Sequence, residues 1–72
     1  MKGHHKDFDG RLWNIVYSVV HKHMGYHAID HANYTTWSKN DGIAQYYLVK
    51  KLREDYPDDN WRIIIHDSYW GV

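Results

Sequence analysis

The stretch LWNIVYSVV, residues 12–20, constrains this chain more than any other. It is dense in β-branched and aromatic residues, which fit a pleated, half-buried surface better than a helix. Its alternate positions Trp13, Ile15, Tyr17 and Val19 form one wholly apolar face, the period-two signature of a strand. The other face, Leu12, Asn14, Val16, Ser18 and Val20, is mixed. That contrast predicts a strand with one side packed under a helix and the other only partly covered. As the longest apolar strand in the chain, it belongs at the centre of a sheet.

The remaining elements follow from local signals. Met24 and Gly25 interrupt the apolar run, so a hairpin turn is expected near His23 to Gly25. The segment YHAIDHANYTTW then reads as an irregular edge strand, whose polar side chains discourage pairing with other molecules. Ser38 followed by Asp41 has capping-box spacing, which predicts a helix from about Lys39 to Tyr56 with Ser38 as its cap. At about 100° per residue, Ala44, Leu48, Val49, Leu52 and Tyr56 share one apolar arc. Lys50, Lys51, Arg53 and Glu54 lie largely outside it, as do Tyr46 and Tyr47. Pro57 and the turn residues PDDN end the helix. WRIII then predicts a third strand, extendable through His66 towards Trp70.

The order strand, strand, helix, strand predicts an α+β fold. It is a three-stranded antiparallel sheet (β-β-α-β, order 2-1-3) with one helix packed on one face. A chain of 72 residues buries only about 60% of its unfolded surface, so a single domain spanning 1–72 is expected, with residues 1–10 as a polar, flexible lead-in. Hydrophobic residues at 43% and charged residues at 25% are ordinary for a folded domain and exclude the disordered class.

Nine Lys and Arg balance nine Asp and Glu, which leaves no field to attract a polyanion. Nucleic-acid binding as an accessory protein is therefore a disfavoured alternative. With no cysteine there is no disulfide framework and no thiolate metal site. No signal-peptide-like segment follows Met1, and no apolar run approaches the roughly 18 residues of a membrane span, so a cytoplasmic address without membrane contact is the expectation.

Of the seven histidines, His21, His23, His27 and His31 fall within HKHMGYHAIDH. On a strand their even separations put them on one face, and on a helix the last three stack at spacings of four. Either geometry suits zinc or nickel, with Asp30 as a further ligand, although no HExxH motif is present. The competing reading is a row of exposed polar residues on an edge strand.

A catalytic pairing of His27 or His31 with Asp30, or of His66 with Asp67, is weakened because neighbours on a strand point to opposite faces. Ser18 lies in a buried strand, Ser38 is needed as a cap, and Ser68 has no glycine-rich elbow. A substrate pocket of about 300 Å³ is also hard to place inside so small a domain. No catalytic residue is assigned, and the chain is expected not to be an enzyme. DFDGRL matches calcium-loop positions only at Asp7, Asp9, Gly10 and Leu12, with His5 in place of the first Asp.

The aromatic content is the main functional clue. Four Trp, seven Tyr and one Phe make 17% of the chain. Periodicity assigns Trp13, Tyr17, Tyr56 and Trp61 to the interior, whereas Tyr34, Trp37, Tyr46, Tyr47, Tyr69 and Trp70 are harder to bury. Tyr and Trp dominate many binding surfaces because each covers a large rigid area at small entropic cost. A thin core filled with rings is the alternative explanation, and burial against a second copy as a homodimer is a third.

The leading expectation is thus a small non-enzymatic protein-binding module using those six rings. A histidine-dependent metal-binding protein is the first alternative. In size and outline the chain is similar to small accessory and inhibitor proteins of bacteriophages and mobile elements, which occupy a surface of a larger host protein. That likeness is one of architecture, without a shared motif.

Overall fold

The structure, a computed structural model, describes residues 10–71. The expected lead-in and most of the calcium-loop match therefore lie outside the described residues. Strand β1 spans Arg11–His21, β2 His27–Ser38, helix α1 Asp41–Asp55 and β3 Trp61–Trp70. The sheet is antiparallel with order β2-β1-β3, so the apolar run does sit centrally, paired along both edges. This is the α+β architecture predicted from the pattern of elements.

The core forms where that run meets the helix. Ile15, Tyr17 and Val19 from β1 are buried against Ala44, Leu48 and Leu52 from α1, which lie on the expected helical arc. Trp13, Tyr56, Trp61, Ile63 and Ile65 pack around them, half-buried. Tyr34 does so as well, which corrects its placement among the surplus rings. It lies opposite Ile15, and cross-strand partners share a face, so its ring is drawn under the helix.

The helix start differs from the capping-box reading. Asn40 is the N-cap, its backbone extended at φ −151°, and its side-chain oxygen accepts the Ile43 N–H at 2.9 Å. Ser38 instead ends β2 and donates its hydroxyl to the Asn40 carbonyl at 2.6 Å. Ser38 thereby secures the corner leading into the helix. Asn and Ser are nearly equivalent caps, so spacing to an acidic residue could not discriminate between them.

The β1–β2 turn uses Gly25 at φ 77°, a conformation glycine adopts without Cβ strain, and the Gly25 N–H donates to the His21 carbonyl at 2.9 Å. The Lys22 N–H donates to the Asn60 carbonyl at 2.7 Å and ties this turn to the loop before β3. Among the described residues no helix is long and apolar enough to cross a membrane.

Candidate functional site

Two constellations stand out, one apolar at the end of the sheet and one polar at its middle. The apolar one is built from strand ends. Leu12 lies opposite Trp37 on β2, and Trp13 opposite Trp70 on β3. The Gly71 N–H donates to the Leu12 carbonyl at 3.3 Å, which holds the end of β3 beside the start of β1. The result is a cavity of about 360 Å³ lined by Gly10, Arg11, Leu12, Trp37, Trp70 and Gly71. Trp37 and Trp70 keep 51% and 56% of their surfaces exposed. The Arg11 guanidinium lies 4.3 Å from the centre of the Trp70 ring, a cation–π contact that orients both side chains.

A cavity of this size departs from the expectation that a domain of this length has no room for one, which holds for the interior alone. Here the space lies at the rim, beside the paired ends of β1, β2 and β3. Its walls are largely apolar, and among the described residues Arg11 is the one charged group lining it. Such a slot can accept an apolar or aromatic projection and add a charge-assisted contact at its edge.

The six rings assigned to partner binding do not form one surface. Trp37 and Trp70 bound the slot, and Tyr69, exposed and opposite Asn14, lies on the open face of the sheet. Tyr46 and Tyr47 are exposed on α1, on the other side of the sheet, with ring centres 5.9 Å apart. Tyr34 packs half-buried against the core.

The polar constellation centres on Ser18, whose side chain is fully buried although it lies on the face away from the helix. Both neighbouring strands break register beside it. Between Tyr17 and Val19 the partner positions on β2 run from Ala32 to Ile29, and between Val16 and Tyr17 those on β3 run from Asp67 to Ile65. Each flanking strand therefore carries an extra residue, as in a β-bulge. His31 adopts φ 50°, a left-handed conformation that costs a non-glycine residue roughly 1–2 kcal/mol.

What holds the bulges is the Ser18 hydroxyl. It accepts the His31 N–H at 3.0 Å, lies 2.7 Å from His66 Nε2 and approaches Asp30 Oδ1 at 3.4 Å. A serine hydroxyl has one proton to give. Either that proton goes to His66 Nε2, or His66 donates from Nε2 and the serine proton turns towards Asp30. The His31 and His66 rings stack at 4.0 Å with 12° between their planes, closing over the hydroxyl.

Asp30 Oδ1 also lies 2.7 Å from His31 Nδ1. This corrects the argument that neighbouring Asp30 and His31 must diverge, since strict alternation fails at a bulge with positive φ. The hydrogen bond to His31 is the main reason the Asp30 carboxyl is held below its ordinary range; the His27 and His31 charges add to it, and partial desolvation opposes it.

These are the residue types of a hydrolytic triad, but the hydroxyl is sealed beneath two imidazoles and has no path to a substrate in this conformation. A nucleophile must reach the atom it attacks. The arrangement instead clamps β2 and β3 onto β1.

The four histidines considered for zinc or nickel are dispersed. The His21 ring stacks on Tyr26 at 5.5 Å and meets Trp61 edge-on at 5.0 Å, while its Nδ1 accepts the backbone N–H groups of His23 and Met24 at 3.3 and 3.1 Å. His23 lies in the turn, with its ring 6.0 Å from that of His21. His27 Nε2 is 4.0 Å from Asp30 Oδ1, and His31 is committed to Asp30 and His66. The stacked His31 and His66 rings direct their in-plane lone pairs along parallel planes, so these two cannot converge on one ion at about 2.0–2.1 Å. Among the described residues, no group of three or more His, Asp or Glu side chains is placed to hold a metal.

No protein-family model, curated protein or solved structure matches the chain, which leaves its own side chains as the guide to function.

Proposed function

We propose that this chain is a non-enzymatic protein-binding module that seats an apolar projection of a larger protein in the slot at the end of the sheet, lined by Leu12, Trp37 and Trp70. The observation that carries this is the rim slot itself: a cavity of about 360 Å³ lined by two half-exposed tryptophans on strand ends, Trp37 on the Leu12 face of the sheet and Trp70 on the Trp13 face, with Arg11 beside Trp70. Hot-spot residues are typically Trp, Tyr and Arg set in a local depression, and Trp and Arg both line this one. Because the slot is anchored by strand pairing, little conformational entropy is lost when a partner docks.

On this reading the protein acts in the cytoplasm by occupying a surface of its target, in the manner of small inhibitors carried by bacteriophages and mobile elements. Zero formal net charge suits contact with another protein better than contact with a polyanion.

Affinity capture from host lysate, using the wild type beside a Trp37→Ala/Trp70→Ala double variant, tests the proposal. A partner retained by the wild type and by a Tyr46→Ala/Tyr47→Ala control, but lost by the slot variant with an unchanged circular dichroism spectrum, supports it. Equal capture by all three proteins sinks it.

A further inference from the structure

The two edges of the sheet are built differently. β2 breaks register with β1 twice, carries His31 at positive φ and presents His27, Asp30, His31, Asn33 and Thr35, all exposed. Irregular, polar edges of this kind resist pairing with another strand. β3 is regular from Trp61 to Ile65, where its register with β1 advances one residue for one, and its only irregularity lies at His66.

That regular stretch, WRIII, contains a single charge and consists otherwise of strong strand formers. Ile63, Ile64 and Ile65 all remain half-exposed, and α1 meets β2 more extensively than it meets β3. Among the described residues β3 pairs only with β1. Its outer edge therefore combines main-chain groups unused by the sheet with apolar side chains incompletely covered by the helix.

We infer that the β3 edge from Trp61 to Ile65 pairs with the same edge of a second copy of this chain, antiparallel about a two-fold axis near Ile63, forming a continuous six-stranded sheet. The segment is self-complementary in this register. On the helix side Ile63 meets its own copy and Trp61 meets the partner's Ile65. On the open side Arg62 lies opposite the partner's Ile64. An axis at Ile63 uses the whole regular stretch and stops short of the His66 irregularity on both sides.

Zero formal net charge removes the general repulsion between like copies. The bulged β2 edge then terminates the sheet at each end, so association closes at two instead of propagating. A short edge pairing buries less than the roughly 1,200 Å² of a standard interface, so the dimer is weak and depends on concentration. This interface is separate from the Trp37–Trp70 slot, and either proposal can fail alone.

Sedimentation equilibrium of the full chain over a concentration series provides the test, with Ile64→Lys and Ile64→Glu as paired variants. Both introduce a charge at the same half-exposed site and burden the fold similarly, with folding checked by circular dichroism. They differ in what the partner's Arg62 meets. Like charges directly opposed across strands are destabilising and opposite charges favourable, so Ile64→Lys should weaken dimerisation about tenfold relative to Ile64→Glu.

Hydrogen exchange at high concentration should protect the amides of Trp61, Ile63 and Ile65, which point away from β1, and leave the outer amides of β2 unchanged. Three results would overturn the inference: a monomer at every concentration, equal dimerisation of the two variants, or a dimer in which the β3 amides gain no protection. The last of these would place the contact on another surface.

Discussion

Removing the Ser18 hydroxyl tests whether the polar clamp governs the sheet's irregular geometry. Ser18→Ala deletes three polar approaches at once, at 2.7, 3.0 and 3.4 Å. A net hydrogen bond contributes about 0.5–1.5 kcal/mol, and the longest of these approaches counts for little. The loss should therefore be about 1–3 kcal/mol. It stays at the lower end if the bulge relaxes and water reaches the His31 N–H, because His31 is itself exposed. For a domain of this size each kcal/mol lowers Tm by about 4–8 °C. Urea unfolding followed by tryptophan fluorescence measures the change directly. A double-mutant cycle with His66→Ala isolates the 2.7 Å contact, and coupling of at least about 0.5 kcal/mol is expected between groups in one network. A destabilisation below about 0.5 kcal/mol together with zero coupling would refute the clamp.

Other outcomes follow from single features. Asn40→Ala should cost about 1 kcal/mol by removing the Ile43 N–H acceptor, read by urea midpoint, with Ser38→Ala a comparison that leaves the helix cap intact. Leu48→Ala opens the fully buried contact between α1 and β1 and should cost about 2–5 kcal/mol, read by the urea midpoint. The Ser68 hydroxyl is buried with no hydrogen-bond partner among the described residues, so Ser68→Ala should be neutral or slightly stabilising; a loss above about 1 kcal/mol would reveal a bond to that hydroxyl.

Acid dependence follows from Asp30. Its carboxyl titrates below the ordinary value of 3.8, mainly through its bond to His31, so it favours folding fully above that value. The contribution disappears as pH falls below 3.8 and through the lower folded-state value. Asp30→Asn should flatten this part of the stability curve, and parallel acid limbs for the two proteins would contradict the coupling.

Alternation over residues 12–20 was enough to determine the central strand, its apolar face and, with the helical arc through Ala44, Leu48 and Leu52, the sheet order and the covered side. These follow from the sequence because burying one face of a strand and one stripe of a helix is a local, periodic demand. Exposure of Tyr46 and Tyr47 was legible for the same reason. The histidines were not, because their parity argument assumed unbroken alternation and nothing in HAIDHA marks where β2 bulges. Only the tertiary structure decided that a serine on the mixed face would bind His31 and His66, that Tyr34 would turn inward opposite Ile15, and that Trp37 and Trp70, far apart in the chain, would frame one slot. Each of those outcomes depends on register between strands, and register is set by the sum of cross-strand contacts instead of by any one segment's pattern.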